Sequence, residues 1–266
     1  MTGPEGRESG GTRAVDALHA ELLLAGEDAA RIREVLARLA PEETVLLALL
    51  RRALPVRFLE HLGTTRPWSD KANLLGRLVL NPRTPRALRL RLIPSLFWRD
   101  LAEVAASPSA AGAIRVRAEG RLAEMLPEMR LGDRIALGKL ATPPILRLLL
   151  TAEEPKVAEA CLINPRLREE DLLLALRSDT APAGLIHAVA ASTRWTEKYG
   201  VRLTLALQPR TPLAVALLQV SSLVRRDLLR LARTPGLRPL LQAAALRVAE
   251  EGERRPGGRT LRGSAT

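Results

Sequence analysis

The sequence predicts an all-α fold, a right-handed α-solenoid of stacked helical hairpins, from three observations. Apolar residues make up 47% of the 266 residues but aromatics only 2%. Leu and Ala must then fill the interior, a composition that helices tolerate far better than sheets. Apolar residues recur at helical spacing, as at Ile32, Val35, Leu36 and Leu39, or at Ile145, Leu146, Leu148, Leu149 and Leu150. The third observation is a stretch written twice: WSDKANLLGRLVLNPRTP at 68–85 and WTEKYGVRLTLALQPRTP at 195–212.

Sliding the chain on itself by 127 residues brings Trp68 onto Trp195, Lys71 onto Lys198 and Pro82-Arg83-Thr84-Pro85 onto Pro209-Arg210-Thr211-Pro212. Further on, Ser95-Leu96 meets Ser222-Leu223 and Arg99-Asp100-Leu101 meets Arg226-Asp227-Leu228. This is an internal duplication. A shorter period lies inside it. Pro41, Pro82, Pro127, Pro165 and Pro209 each precede an amphipathic segment, at spacings of 41, 45, 38 and 44. Units of roughly 42 residues have the size of a two-helix repeat, and each buries its apolar faces only by stacking on its neighbours.

Taken in order, residues 1–12 and 252–266 are polar, Gly- and Arg-rich, and read as disordered tails. Residues 13–39 form a helical cap. Residues 40–251 form the repeats, so that 13–251 is one domain of about ten to thirteen helices. Within each copy the punctuation has a physical reading. Asn81 ends a helix in the left-handed conformation, Pro82 blocks its continuation, Thr84 caps the next helix and Pro85 opens it. Asp100 and Asp227 read as caps of helices starting at Leu101 and Leu228.

The formal charge is +12. Lys stands only at 71, 139, 156 and 198, which leaves 37 of the 41 basic residues as Arg. A basic surface attracts nucleic acid or anionic lipid; a GC-rich coding bias produces the same excess. Cys161 is single, which excludes an intrachain disulfide, and its apolar neighbours make it a buried structural thiol. The N-terminus lacks the apolar core of a signal peptide, and no apolar run reaches the roughly 18 residues of a membrane span. The expected location is cytoplasmic, with no membrane partner.

The stretches LINPRLREEDLLLAL and VRLTLALQPRTPLAVALLQV resemble bacterial leucine-rich repeat variant and HEAT-like α-solenoid proteins over roughly residues 40–248. The resemblance implies a binding scaffold with a protein partner. A few HEAT-like proteins are alkylpurine DNA glycosylases with a basic concave groove, but none of their catalytic residues has a counterpart here.

No catalytic residue, cofactor site or metal site is expected. His19, His61 and His187 are scattered without a second ligand at metal-binding spacing, and no Gly-rich phosphate loop follows a strand. The candidate binding surface is Trp68, Lys71, Arg77, Arg83, Trp98, Trp195, Lys198, Tyr199, Arg202 and Arg210, with Arg89 and Arg91 added on the same concave face. Trp and Lys three apart share a helix face and suit a phosphate or a partner side chain; buried, the same Trp is a packing piece. The expected function is non-enzymatic protein binding, with nucleic-acid binding as the alternative.

Overall fold

The computed structural model describes residues 5–254. Among them the structure is all-helical, with 18 α-helices and no strand. The chain divides into two compact units, 1–130 and 131–266, where the sequence reads a single array. The first unit holds α1 (Glu5–Ala25), α2 (Ala29–Leu39), α3 (Glu43–Leu49), α4 (Val56–Thr64), α5 (Ala72–Leu80), α6 (Arg86–Leu92), α7 (Trp98–Ala106) and α8 (Gly112–Met125). The second holds α9 (Leu131–Leu140), α10 (Pro143–Leu149), α11 (Pro155–Leu162), α12 (Glu169–Arg177), α13 (Ala183–Ala191), α14 (Thr193–Thr196), α15 (Tyr199–Leu207), α16 (Leu213–Val220), α17 (Arg225–Arg233) and α18 (Pro239–Arg254).

Eighteen helices exceed the ten to thirteen expected. The Leu-rich runs are cut into pieces as short as the seven residues of α3, α6 and α10. Prolines do much of the cutting: Pro55 precedes α4, Pro94 sits in a 3-10 turn at Ile93–Ser95, and Pro155 opens α11. Helix α1 begins at Glu5, inside the segment read as a tail, and α18 runs to Arg254. The rest of both expected tails lies outside the described residues.

The duplication reaches down to element boundaries. Helices α4, α5, α6, α7 and α8 begin at 56, 72, 86, 98 and 112; α13, α15, α16, α17 and α18 begin at 183, 199, 213, 225 and 239, each 127 residues later. The two units therefore serve as two readings of one plan.

Within the first unit, α1, α3, α5 and α7 neighbour one another in succession, and α2, α4, α6 and α8 form a second row behind them. In the second unit α10, α12, α15 and α17 form the corresponding front row, with α9, α11 and α13, then α16 and α18, behind. Leucines fill the space between rows: α5 buries Leu74, Leu75, Leu78 and Val79, and α15 buries Val201, Leu205 and Ala206. Each fully buried Leu stabilises by about 1.5–3 kcal/mol relative to exposure.

Candidate functional site

The links that join helices are built by buried amides. Asn81 donates from Nδ2 to the carbonyls of Leu50 (2.8 Å) and Arg52 (3.3 Å), while its Oδ1 accepts the Arg83 N–H at 2.9 Å. Asn164 repeats this on Gly138, Ala141 and Arg166 at 2.8, 3.1 and 2.8 Å. Gln208 does so on Leu176, Ser178 and Arg210. The partner carbonyls lie at or just past the ends of α3, α9 and α12, where helix C=O groups lack intrahelical partners. The amide thus ties each link to the end of an earlier helix in the front or back row.

This geometry corrects three expectations. Asn81 is extended (φ −67°, ψ 122°), not left-handed, because its role is to reach across to another helix. Thr84 and Thr211 are not caps. The first helical acceptors are Pro85 and Pro212, and both threonine hydroxyls are buried without a hydrogen-bond partner. Asp100 and Asp227 lie inside the first turns of α7 and α17, whose caps are Phe97 and Val224. A helix's first turn favours negative charge, but at Asp100 burial outweighs that effect. Asp227 accepts the Tyr199 hydroxyl; burial, then that bond, pushes the phenol pKa up. Asp100 has no tyrosine opposite, since Ala72 stands at the matching position. Burial, then the neighbouring Glu103, raises its pKa, against the lowering effect of Arg77.

The predicted surface residues fall into three groups. Trp195 is 1% exposed and donates its indole N–H to the Leu162 carbonyl at 2.9 Å. It is a packing element, not an accessible platform. Lys198 and Arg194 lie 5.6 and 5.2 Å from its ring, and Lys198 also pairs with Glu169 at 2.9 Å. In the first unit Trp68 is half-buried and Lys71 reaches Glu43 at 3.4 Å. The shared Trp-x-x-Lys thus fastens one front-row helix to the start of the previous one. In the second group, arginines are engaged internally. Arg77 pairs with Glu103 at 2.8 Å, and Arg202 lies over Tyr199 at 5.8 Å. Arg89 donates to the carbonyls of Thr84 and Pro82, both at 2.7 Å, so it braces its own link instead of facing a ligand. The third group is open: Arg83, Arg91 and Arg210 are exposed, and Trp98 is half-buried under Arg99 at 5.2 Å, beside exposed Phe97.

A different place collects cations around a cavity. In the second unit a trough of about 510 Å³ opens between α12, α15 and α17, lined by Arg177, Asp179, Leu203, Thr204, Leu207, Gln208, Pro209 and Arg230. Beyond Arg177 a second basin of about 380 Å³ is lined by Arg147, Asp171 and Leu174. Arg147 is held by Asp171 at 3.2 Å. Arg177 and Arg230 are exposed and, among the described residues, make no ion pair or side-chain hydrogen bond. Neither stands out in the sequence, because Arg177 ends a Leu-rich helix (EEDLLLALR) and Arg230 lies in the last turn of another (RRDLLRLAR), where a basic residue is ordinary. The available signal was divergence between the copies: Leu50 and Glu103 occupy the matching positions in the first unit.

Among the described residues no group of three or more His, Cys, Asp or Glu is placed to hold a metal ion. His61 lies beside the Thr65 hydroxyl, and burial lowers its pKa. Cys161 is buried and its thiol is pushed up to about 12 by desolvation. No described helix is long and apolar enough to cross a membrane. No protein-family model matches the chain, and no curated protein or solved structure matches it.

Proposed function

We propose that the chain is a non-enzymatic scaffold, an α-solenoid of the HEAT-like or leucine-rich repeat variant kind, that holds a protein partner on the front row α10, α12, α15 and α17. The supporting observation is the open trough beside Arg177 and Arg230, which have no partner among the described residues. Exposed cations without an ion pair beside an open trough are a surface suited to complementary charge from outside. The resemblance of the Asn-Pro and Gln-Pro links to helical-repeat proteins, and the succession of helices into two rows within each unit, favour the repeat-scaffold reading.

The experiment is capture of the partner by the full chain, followed by hydrogen exchange of the purified complex. Protection concentrated on α10, α12, α15 and α17 is expected. Protection confined to the back row, or capture of nothing at physiological salt, would sink the reading. The second reading is nucleic-acid binding, favoured by the +12 charge. It expects retention on duplex DNA that falls steeply between about 50 and 200 mM salt.

A further inference from the structure

We infer that the trough between α12, α15 and α17 receives a short acidic-apolar peptide segment of a partner protein, its carboxylates placed against Arg177 and Arg230. The inference rests on the scaffold reading and names the chemistry of the occupant.

Two cations come from two different helices, α12 and α17, and the leucines of α15, Leu203 and Leu207, lie between them in the lining. An occupant must therefore offer separated negative charges with apolar groups between. Arg177 also lines the second basin, together with Leu174, which is 66% exposed, so a second apolar contact lies on the same helix. Gln208 is spent on Leu176, Ser178 and Arg210 and serves as wall.

The lining also selects against other anions. It contains no aromatic side chain on which a base could stack, and stacking is the usual sequence-tolerant grip on single strands. Asp179 is part of the lining. Its charge opposes a continuous phosphate backbone more than it opposes a peptide, whose carboxylates can skip that position.

The first unit supplies an internal comparison. At the positions of Arg177, Asp179, Thr204 and Arg230 it carries Leu50, Arg52, Arg77 and Glu103. Arg52 is taken by Asp16 at 2.7 Å, and Arg77 by Glu103 at 2.8 Å. The same location in one copy is closed by its own carboxylates; in the other the matching Glu is an Arg, and the lining's one carboxylate, Asp179, pairs with neither Arg.

The test uses the full chain and a fluorescein-labelled dodecapeptide alternating Glu and Leu, read by anisotropy. Comparators are the same peptide with Lys for Glu, the same with Ser for Leu, and a labelled single-stranded dodecanucleotide. The Glu-Leu peptide is expected to bind, with both substituted peptides weaker. Arg177→Glu with Arg230→Glu should weaken it at least tenfold. Arg115→Glu with Arg117→Glu, an equal charge change on exposed sites of α8, should leave it within twofold. Circular dichroism confirms folding of each double variant, and Arg177→Gln with Arg230→Gln replaces the reversal if that variant unfolds. No peptide binding, equal weakening by both double variants, or tighter oligonucleotide binding that depends on Arg177 and Arg230 overturns the inference. A captured partner whose affinity survives Arg177→Glu with Arg230→Glu overturns it too, while leaving the scaffold reading intact.

Discussion

Asn164 is 0% exposed and spends both polar ends of its amide on backbone groups. Asn164→Ala leaves the Gly138 and Ala141 carbonyls and the Arg166 N–H short of a partner, and should lower stability by about 2–4 kcal/mol in urea unfolding. Asp100 carries the opposite sign of effect. Its folded pKa lies above the unfolded value, so ionisation costs stability, fully above the folded pKa and not at all below the unfolded one. Asp100→Asn should therefore be more stable than the parent at neutral pH, with the gain lost as pH falls below about 4; equal gains at pH 3 and pH 7 would refute it. At this scale the sequence was legible in type and not in role. Asn81, Thr84, Asp100 and Trp195 were all marked from their neighbours along the chain, but Asn81 and Trp195 bond to carbonyls some 30 residues away. A capping rule describes a side chain that turns back on its own helix, and Asn81 reaches instead to α3.

At the scale of the element, α11 and α13 pack so closely that a Cβ on Gly184 would sit 2.5 Å from the Glu153 carbonyl oxygen and 3.0 Å from the Pro155 nitrogen. Both are backbone atoms and cannot turn aside. Gly184→Ala should destabilise by about 1–3 kcal/mol. Gly120, inside α8, has nothing within 4 Å of the same atom, so Gly120→Ala should stabilise by about 0.5–1 kcal/mol through helix propensity alone. Thermal unfolding of the pair separates close approach from propensity; matching shifts would refute the packing account. Helix existence was legible from the period of Leu and Ala. Helix number was not, because prolines outside the 42-residue series, such as Pro55 and Pro94, also divide runs within the units. The Lys71–Glu43 and Lys198–Glu169 pairs show why Trp-x-x-Lys looked like a ligand motif: cation, ring and duplication are real, but the charge is answered inside the fold.

For the whole molecule, the duplication was legible to the residue, and the two units repeat it in their helix starts. The trough was not legible, since Arg177 and Arg230 become neighbours of one cavity only when α12, α15 and α17 come together. Because the chain divides into two compact units, damage should stay local. Trp195→Ala, which removes the largest fully buried side chain, should cost about 3–5 kcal/mol. The faster amide exchange should appear in α11–α15 and spare α3–α7; a uniform rise across both units would contradict this. The amide ties have one more consequence. Thirty-seven arginines give trypsin many places to cut, and Arg83, Arg166 and Arg210, exposed in links between helices, look like the softest of them. Yet each has its N–H fastened to the Asn or Gln two residues before it, and a protease needs the segment around the cut to come free and extend. These links should survive digestion as long as the helices they join.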